Sequence, residues 1–434
     1  MTTEVLPERD TRARLLPGSA AVGLLLALGR GGSYIGISNR LFLTDALVAA
    51  AVARWILRPG PRRRVPGSTR GIVLVLLTWS LLHMVPSAAR SVVGLRDAVP
   101  YAYLILALVA FDGIRSATVL EIERTARFLE ICLCVHLAWS LMGLLSPSAL
   151  LRTPLLAAST EVHLLTERSD FDSACNAILA GLCLQRTLSG KTKVLQKIIL
   201  LAAIGAVVFA HARSGLIALF VLFALILVRF FSRRSLHGNR KLATAAVLLL
   251  VLPLGAASLP FTLAGKRLLS SVGVASSSGV SLSTAENAQG TSTARSNAWR
   301  TSLHYSTSSL SRSAIGVGFG PNFLLESGAL FELVGQTDDV STRAPHDYYL
   351  DVLARLGLVG LILVVALHVV GWRKALNLLR AERRGDMAIL VVGIVVAIPT
   401  VAALGVVLEG PFGAVPFAWA LGAVDALDHP EGVQ

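Results

Sequence analysis

Charge is scarce in this chain: 15% of its 434 residues are charged, against 54% that are hydrophobic. So few charges cannot coat a water-soluble fold of this length. With a mean hydropathy of +0.67, the composition excludes an ordinary soluble enzyme and points to a polytopic membrane protein. Cysteine is also sparse. The four cysteines, Cys132, Cys134, Cys175 and Cys183, lie inside apolar runs without zinc-site spacing and read as small buried hydrophobes. Acidic residues are the rarer sign, 26 Asp and Glu against 40 Lys and Arg, for a net charge of +14. That balance raises nucleic acid as a partner. However, aromatics make up only 6%, and the basic residues fall in short clusters between apolar runs, with no basic face interleaved with aromatics. The expected partner is the lipid bilayer, with no nucleic acid. A cleavable signal is lacking as well: Met1-Thr2-Thr3-Glu4-Val5 is polar and partly acidic, so the first span is expected to remain as an anchor. No solenoid-period repeat and no inverted repeat is visible.

What is abundant is apolar runs of about twenty residues. They centre on 17–29, 41–58, 71–88, 100–117, 127–146, 171–187, 195–211, 213–230, 242–262, 347–370, 386–408 and 412–427. The expected fold is all-α: a polytopic membrane protein of about twelve transmembrane helices, with one large extracytoplasmic loop containing short helices. Residues 1–262 would supply about nine helices, 263–346 the loop subdomain and 347–434 about three. The connections 58–70, 112–127, 185–197, 229–241 and 372–384 each carry several Lys or Arg. All five fall on one side if the N-terminus is inside, as the positive-inside rule expects. Both termini are then cytoplasmic in a multi-pass protein of the inner or plasma membrane. Segments 146–170, 211–214 and 264–345 face outward.

The long outer segment is uneven. Residues 270–293 are rich in Ser, Gly, Ala and Thr, without a periodic apolar face, and read as flexible. The stretch from Arg295 to Leu303 predicts a helix with Trp299 and Leu303 one turn apart. Gly316, Gly318 and Gly320 follow. No strand-turn-helix unit surrounds them, so a backbone bend close to a ligand or another helix fits better than a dinucleotide loop.

Several ionisable residues on the outer side could carry chemistry. Arg213 stands between two apolar runs, where an arginine pairs, lines a wet cavity, or snorkels to lipid phosphate. Arg295 is either a charge on a solvated face or a phosphate clamp, since guanidinium offers paired planar donors to phosphate oxygens. His346 directly precedes a span. An imidazole titrates near neutrality and can take a proton from an attacking sugar hydroxyl. Asp347 is placed to orient it, and Asp351 follows one turn on along the same helix. Two carboxylates also raise a glycosidase-like dyad or a metal site. No second ligand cluster is visible, so neither metal nor cofactor is expected. Arg96, Asp170, Asp172, Asp338, Asp339, Arg355 and Glu409 are further candidates, for which anchoring or pairing at span ends is the default.

Three ordered blocks then carry a family likeness. The first is Ala212-Arg213-Ser214-Gly215, opening a span. The second is Arg295 to Trp299 followed by Gly316-Val317-Gly318-Phe319-Gly320. The third is His346-Asp347, nine residues, then Gly357-Leu358-Val359-Gly360. Together they resemble the O-antigen ligase and O-antigen polymerase-like integral membrane glycosyltransferases. Ala212 stands where that family usually has serine, and Asp347 where it usually has Asn, Ser or Gln. The resemblance implies a polyprenyl-diphosphate-linked glycan as donor (undecaprenyl diphosphate in a bacterial cell envelope) and a glycan, glycolipid or protein as acceptor. It implies Arg213 and Arg295 on the donor diphosphate, His346 as catalytic residue on the acceptor hydroxyl, and inverting, metal-independent transfer. Asp347, Arg96 and Trp299 are expected in support. The rival from another class is a transporter or flippase of polysaccharide or lipid-linked oligosaccharide, without covalent chemistry.

Overall fold

The computed structural model describes residues 14–38, 41–57, 68–88, 92–157, 161–190, 193–210, 212–232, 282–334, 342–381 and 385–428. The apolar runs form helices. In chain order these are α1 (Ser19–Gly32), α2 (Leu43–Leu57), α3 (Ser68–Ala88), α4 (Val92–Ala102), α5 (Ile105–Arg115), α6 (Val119–Leu145), α7 (Pro147–Leu150), α8 (Ser169–Leu188), α9 (Val194–Phe209) and α10 (Arg213–Ser232). After the loop subdomain's α11 (Leu282–Thr307), α12 (Leu310–Ile315), α13 (Phe323–Ser327) and α14 (Ala329–Val334) come α15 (Tyr348–Arg380), α16 (Asp386–Ala402) and α17 (Pro411–Asp428). Among the described residues the strands are confined to two short antiparallel pairs, Gly36–Ser38 with Leu41–Phe42 and Leu155–Ala157 with Val162–His163.

Val92–Arg115, Val119–Leu145, Arg213–Phe231 and Tyr348–Arg380 are long and apolar enough to cross a bilayer. Large apolar side chains such as Leu82, Ile131, Leu201, Phe220 and Ile362 are turned outward, as lipid contact requires and water contact does not. The protein is an all-α integral membrane protein. Its core runs through α5, α8, α16 and α17, and small residues let the backbones close up. A Cβ built at Gly422 of α17 would lie 1.9 Å from the Ala107 carbonyl oxygen of α5. At one end of the bundle the charges pair: Arg186 of α8 holds Glu130 and, at 2.7 Å, Asp386, while Arg70 holds Asp112.

Several expectations need correction. The apolar run at 100–117 starts at Val92, and a turn at Tyr103 and Leu104 divides it. Arg96 and Asp97 therefore sit within helix α4. The run at 386–408 stops being α-helical at Ala402, and a single 3-10 turn, Val407–Glu409, follows. Residues 282–293 belong to α11 and are not an unstructured tract. The run at 242–262 lies outside the described residues.

One device fixes the loop subdomain to the bundle. Helix α15 breaks at Gly357, whose φ of 68° is left-handed. The carbonyls just before the break are met by donors from elsewhere: Val317 N–H donates to Ala354 at 2.8 Å, Gly318 N–H to Arg355 at 2.9 Å and Trp79 Nε1–H to Leu356 at 3.1 Å. The Gly316 run and the Gly357 break are thus two halves of one interlock. A Cβ at Gly357 would lie 2.3 Å from the Ala314 oxygen, and one at Gly316 would lie 2.4 Å from the Arg355 oxygen. We expect Gly357→Ala to cost about 1–2 kcal/mol through its φ alone, with the overlap adding to that. Thermal unfolding of the detergent-solubilised protein checks this, and an unchanged midpoint would refute the interlock.

Candidate functional site

His346 is held in an unusual backbone. Its φ of 58° is left-handed, a region that residues other than glycine enter rarely and mostly where surrounding structure forces them. Both neighbours do the forcing. The Pro345 carbonyl accepts a 2.6 Å hydrogen bond from Trp299 Nε1–H of α11. Asp347 is the N-cap of α15, its carboxylate accepting from Leu350 N–H at 3.0 Å. Its carboxylate thus serves the helix end, a role that Asp fills as well as Asn or Ser. Burial raises the Asp347 pKa, opposed by the backbone N–H groups of Leu350 and Tyr349.

Two guanidiniums face His346. Burial, then the charges of Arg295 and Arg168, hold its pKa down to about 4. The imidazole is therefore neutral at pH 7, with a lone pair to offer. Arg295, midway along α11, donates weakly to the Leu404 carbonyl at 3.4 Å. Burial lowers its pKa, offset by the carboxylate of Asp170. Asp170 packs beside that same carbonyl: a Cβ at Gly405 would stand 2.6 Å from its Oδ2. The other oxygen of Asp170 receives Arg168 Nε–H at 3.1 Å. The turn at Leu404 and Gly405 is thus where the start of α8, the middle of α11 and the end of α16 meet.

Asp172 has a structural task. Its Oδ2 accepts Arg168 N–H at 2.7 Å and its Oδ1 lies 3.3 Å from His136 Nε2, which secures the first turn of α8. Arg213 is half-buried and opens α10. Two residues on, a Cβ at Gly215 would lie 2.2 Å from the Ser173 Cβ, so this end of α10 abuts the first turn of α8.

Beneath His346 lies a buried charge network. Asp97 Oδ2 accepts from Arg343 at 2.8 Å and from Arg355 at 2.9 Å. Arg355 also pairs with Asp351, one turn earlier, at 2.9 Å. Asp351 therefore serves Arg355 and does not form a dyad with Asp347. Arg343 further donates to the carbonyls of Gly320 at 2.6 Å and Pro321 at 3.1 Å, which ties the chain just before His346 to the glycine run. Glu409 is near. Burial, followed by the charge of Asp351, pushes its carboxyl well above the usual range, and its Oε1 is enclosed without a hydrogen-bond partner among the described residues.

The structure brings together His346, Arg295, Trp299 and Asp170, and puts the first turn of α10 at the same end of the bundle. Arg96 is exposed on α4, and its neighbour Asp97 makes the ion pairs. Asp338 and Asp339 lie outside the described residues. Sequence reasoning passes over Arg168 and Arg343. Arg168 stands, like Arg213, just where a helix begins, but in a segment without a motif.

A family model for O-Antigen ligase matches residues 198–365. This stretch, under half of the chain, is similar to that family and is termed the ligase-like domain. The match takes in all three blocks, from Arg213 to Gly360, and so agrees with the resemblance read from them. No curated protein matches the chain. Arg168 and Asp170 lie before the ligase-like domain, and Leu404 and Glu409 after it. The residues around His346 therefore come from more of the chain than the matched stretch.

Proposed function

We propose that the protein is a glycosyltransferase that moves a polyprenyl-diphosphate-linked glycan onto an acceptor hydroxyl at the extracytoplasmic face of the inner membrane. In this reading the chain has about twelve spans with both termini cytoplasmic. The observation that carries it is a histidine fixed at the start of an apolar helix, by its left-handed backbone and the Trp299 bond to Pro345, near the charges of Arg295 and Arg168. His346 accepts the proton of the attacking hydroxyl. The new bond joins the acceptor oxygen to the anomeric carbon as the carbon–oxygen bond to the diphosphate breaks, with inversion. Arg295 and Arg213 stabilise the charge that develops on the leaving diphosphate, a task guanidiniums can perform without a metal.

One observation favours a second reading, transport of a lipid-linked glycan without covalent chemistry. Two apolar helices are interrupted within their length, at Gly29 and at Gly357, and broken helices line many transporter sites. Mass spectrometry of lipid-linked and polymeric glycans, with and without the protein, separates these readings. A polymerase leaves single lipid-linked repeats when it is removed, and a ligase leaves long lipid-linked chains. Transfer that continues undiminished in membranes lacking the protein would refute the proposal.

A further inference from the structure

Arg168 has the geometry of an anion ligand that no ligand yet explains. Asp170 takes its Nε–H at 3.1 Å, which fixes the guanidinium plane. Neither terminal nitrogen of Arg168 donates a hydrogen bond among the described residues, so the two-nitrogen edge that pairs with phosphate oxygens is left over. Its own backbone is fixed too, with its N–H held by Asp172 and its carbonyl accepting from Asp172 N–H at 2.9 Å. The side chain is 26% exposed and that of Asp170 15%, so the pair is accessible without being solvated like a surface ion pair. The placement is also directed. Asp170 packs against Gly405, next to the Leu404 carbonyl that Arg295 touches. One turn along α11 from Arg295, Trp299 holds the residue before His346.

We infer that Arg168, oriented by Asp170, is a further guanidinium of the donor-diphosphate site, supplied by the chain's N-terminal half outside the ligase-like domain. The inference rests on the reading of the protein as a transferase from a lipid diphosphate. Charge supports it. A diphosphate joined at both ends carries two negative charges, and the released one gains a third. Arg168, Arg213 and Arg295 with Asp170 sum to two positive charges, which matches the bound donor. Asp170 then acts as a positioning residue and Arg168 touches the donor.

The test is binding of a short-chain polyprenyl diphosphate to the purified full-length protein, beside steady-state transfer from a lipid-linked glycan. Arg168→Ala is expected to weaken binding and raise KM for the donor by about tenfold or more, with a smaller change in kcat. Arg168→Lys should recover little, because lysine lacks the planar fork. Asp170→Asn should fall between. His346→Asn should bind the probe as wild type does. Should Arg168→Ala fail to fold, Arg168→Lys and Asp170→Asn give the same reading. Binding within twofold of wild type in the folded Arg168 variants, with wild-type transfer intact, overturns this inference alone. A wild-type protein that neither binds the diphosphate nor transfers glycan overturns the proposed function, and with it the role of Arg168.

Discussion

Replacing His346 by Asn is expected to cut glycan transfer by about 10²–10⁴-fold, the usual worth of a positioned base, while leaving donor binding in place. Asparagine is the informative choice. It enters the left-handed region more readily than alanine does, so the φ of 58° is kept without added backbone strain. The substituted amide would keep a polar side chain of similar reach but could not take a proton. The pH profile gives a second reading of the same residue. Burial and two arginines hold the His346 pKa near 4, below the ordinary value. The neutral, active form then persists as pH falls from 7 and is lost only near pH 4, so kcat/KM should stay flat down to about pH 5. Donor diphosphate compensates the arginines that depress the group. The pKa in the complex is therefore higher, and kcat should begin to fall at a higher pH than kcat/KM does. Full activity in His346→Asn membranes would remove the base assignment, and superimposable profiles would remove the electrostatic link between donor and histidine.

The fold is legible in the sequence where one physical rule dominates. Apolar runs have to become helices, because backbone polar groups in a bilayer have nowhere else to bond. The rule sets the existence of the spans but not their ends. The Val92–Ala102 helix does not read as part of a span because Arg96, Asp97 and Pro100 interrupt its hydropathy, and only tertiary pairing of Asp97 with Arg343 and Arg355 makes a charge tolerable there. Residues 282–293 mislead for a related reason. Their Ser and Thr content says nothing of what the later turns of α11 pack against.

The candidate site divides in the same way. Residues in motifs can be named from the sequence, namely His346, Arg295, Arg213 and Trp299. What each does locally cannot. Trp299 bonds the chain before His346, and Asp347 caps a helix. The glycines at 316 and 357, which read as separate motifs, are opposed faces of one contact. Arg168 and Arg343 stand in no motif. Their partners, Asp170 and Asp97, give them meaning, and for Arg343 that partner lies in a distant part of the chain, which no window on the sequence can reveal.

The largest loss of stability is expected from Asp97. Its carboxylate, 9% exposed, is shared between Arg343 and Arg355, and the Arg355 side chain is only 4% exposed. Substituting Asn keeps the shape and removes the charge. Two guanidiniums would then be left with Asp351 alone, and a net positive charge would be buried. Breaking a buried pair from one side in this way typically costs about 3–5 kcal/mol, and an apolar surrounding gives the stranded charge little water to recover. The Gly320 N–H, which donates to Asp97 Oδ2 at 3.3 Å, would keep an oxygen acceptor, and the bond lost is the long one from Arg343 Nε–H to Oδ1 at 3.4 Å, so the effect reads mainly charge. Arg343→Met in the same chain should restore part of the loss, because it deletes the excess charge. A double-mutant cycle on the thermal midpoint should therefore show coupling of about 1 kcal/mol or more between positions 97 and 343. Simple additivity would mean that Arg343 finds its compensation elsewhere. Activity should follow stability only in part. Asp97 and the Gly320 carbonyl both hold Arg343, two residues before Pro345. Loosening Arg343 frees the mount of His346, so Asp97→Asn should lower transfer even at temperatures where the protein remains folded.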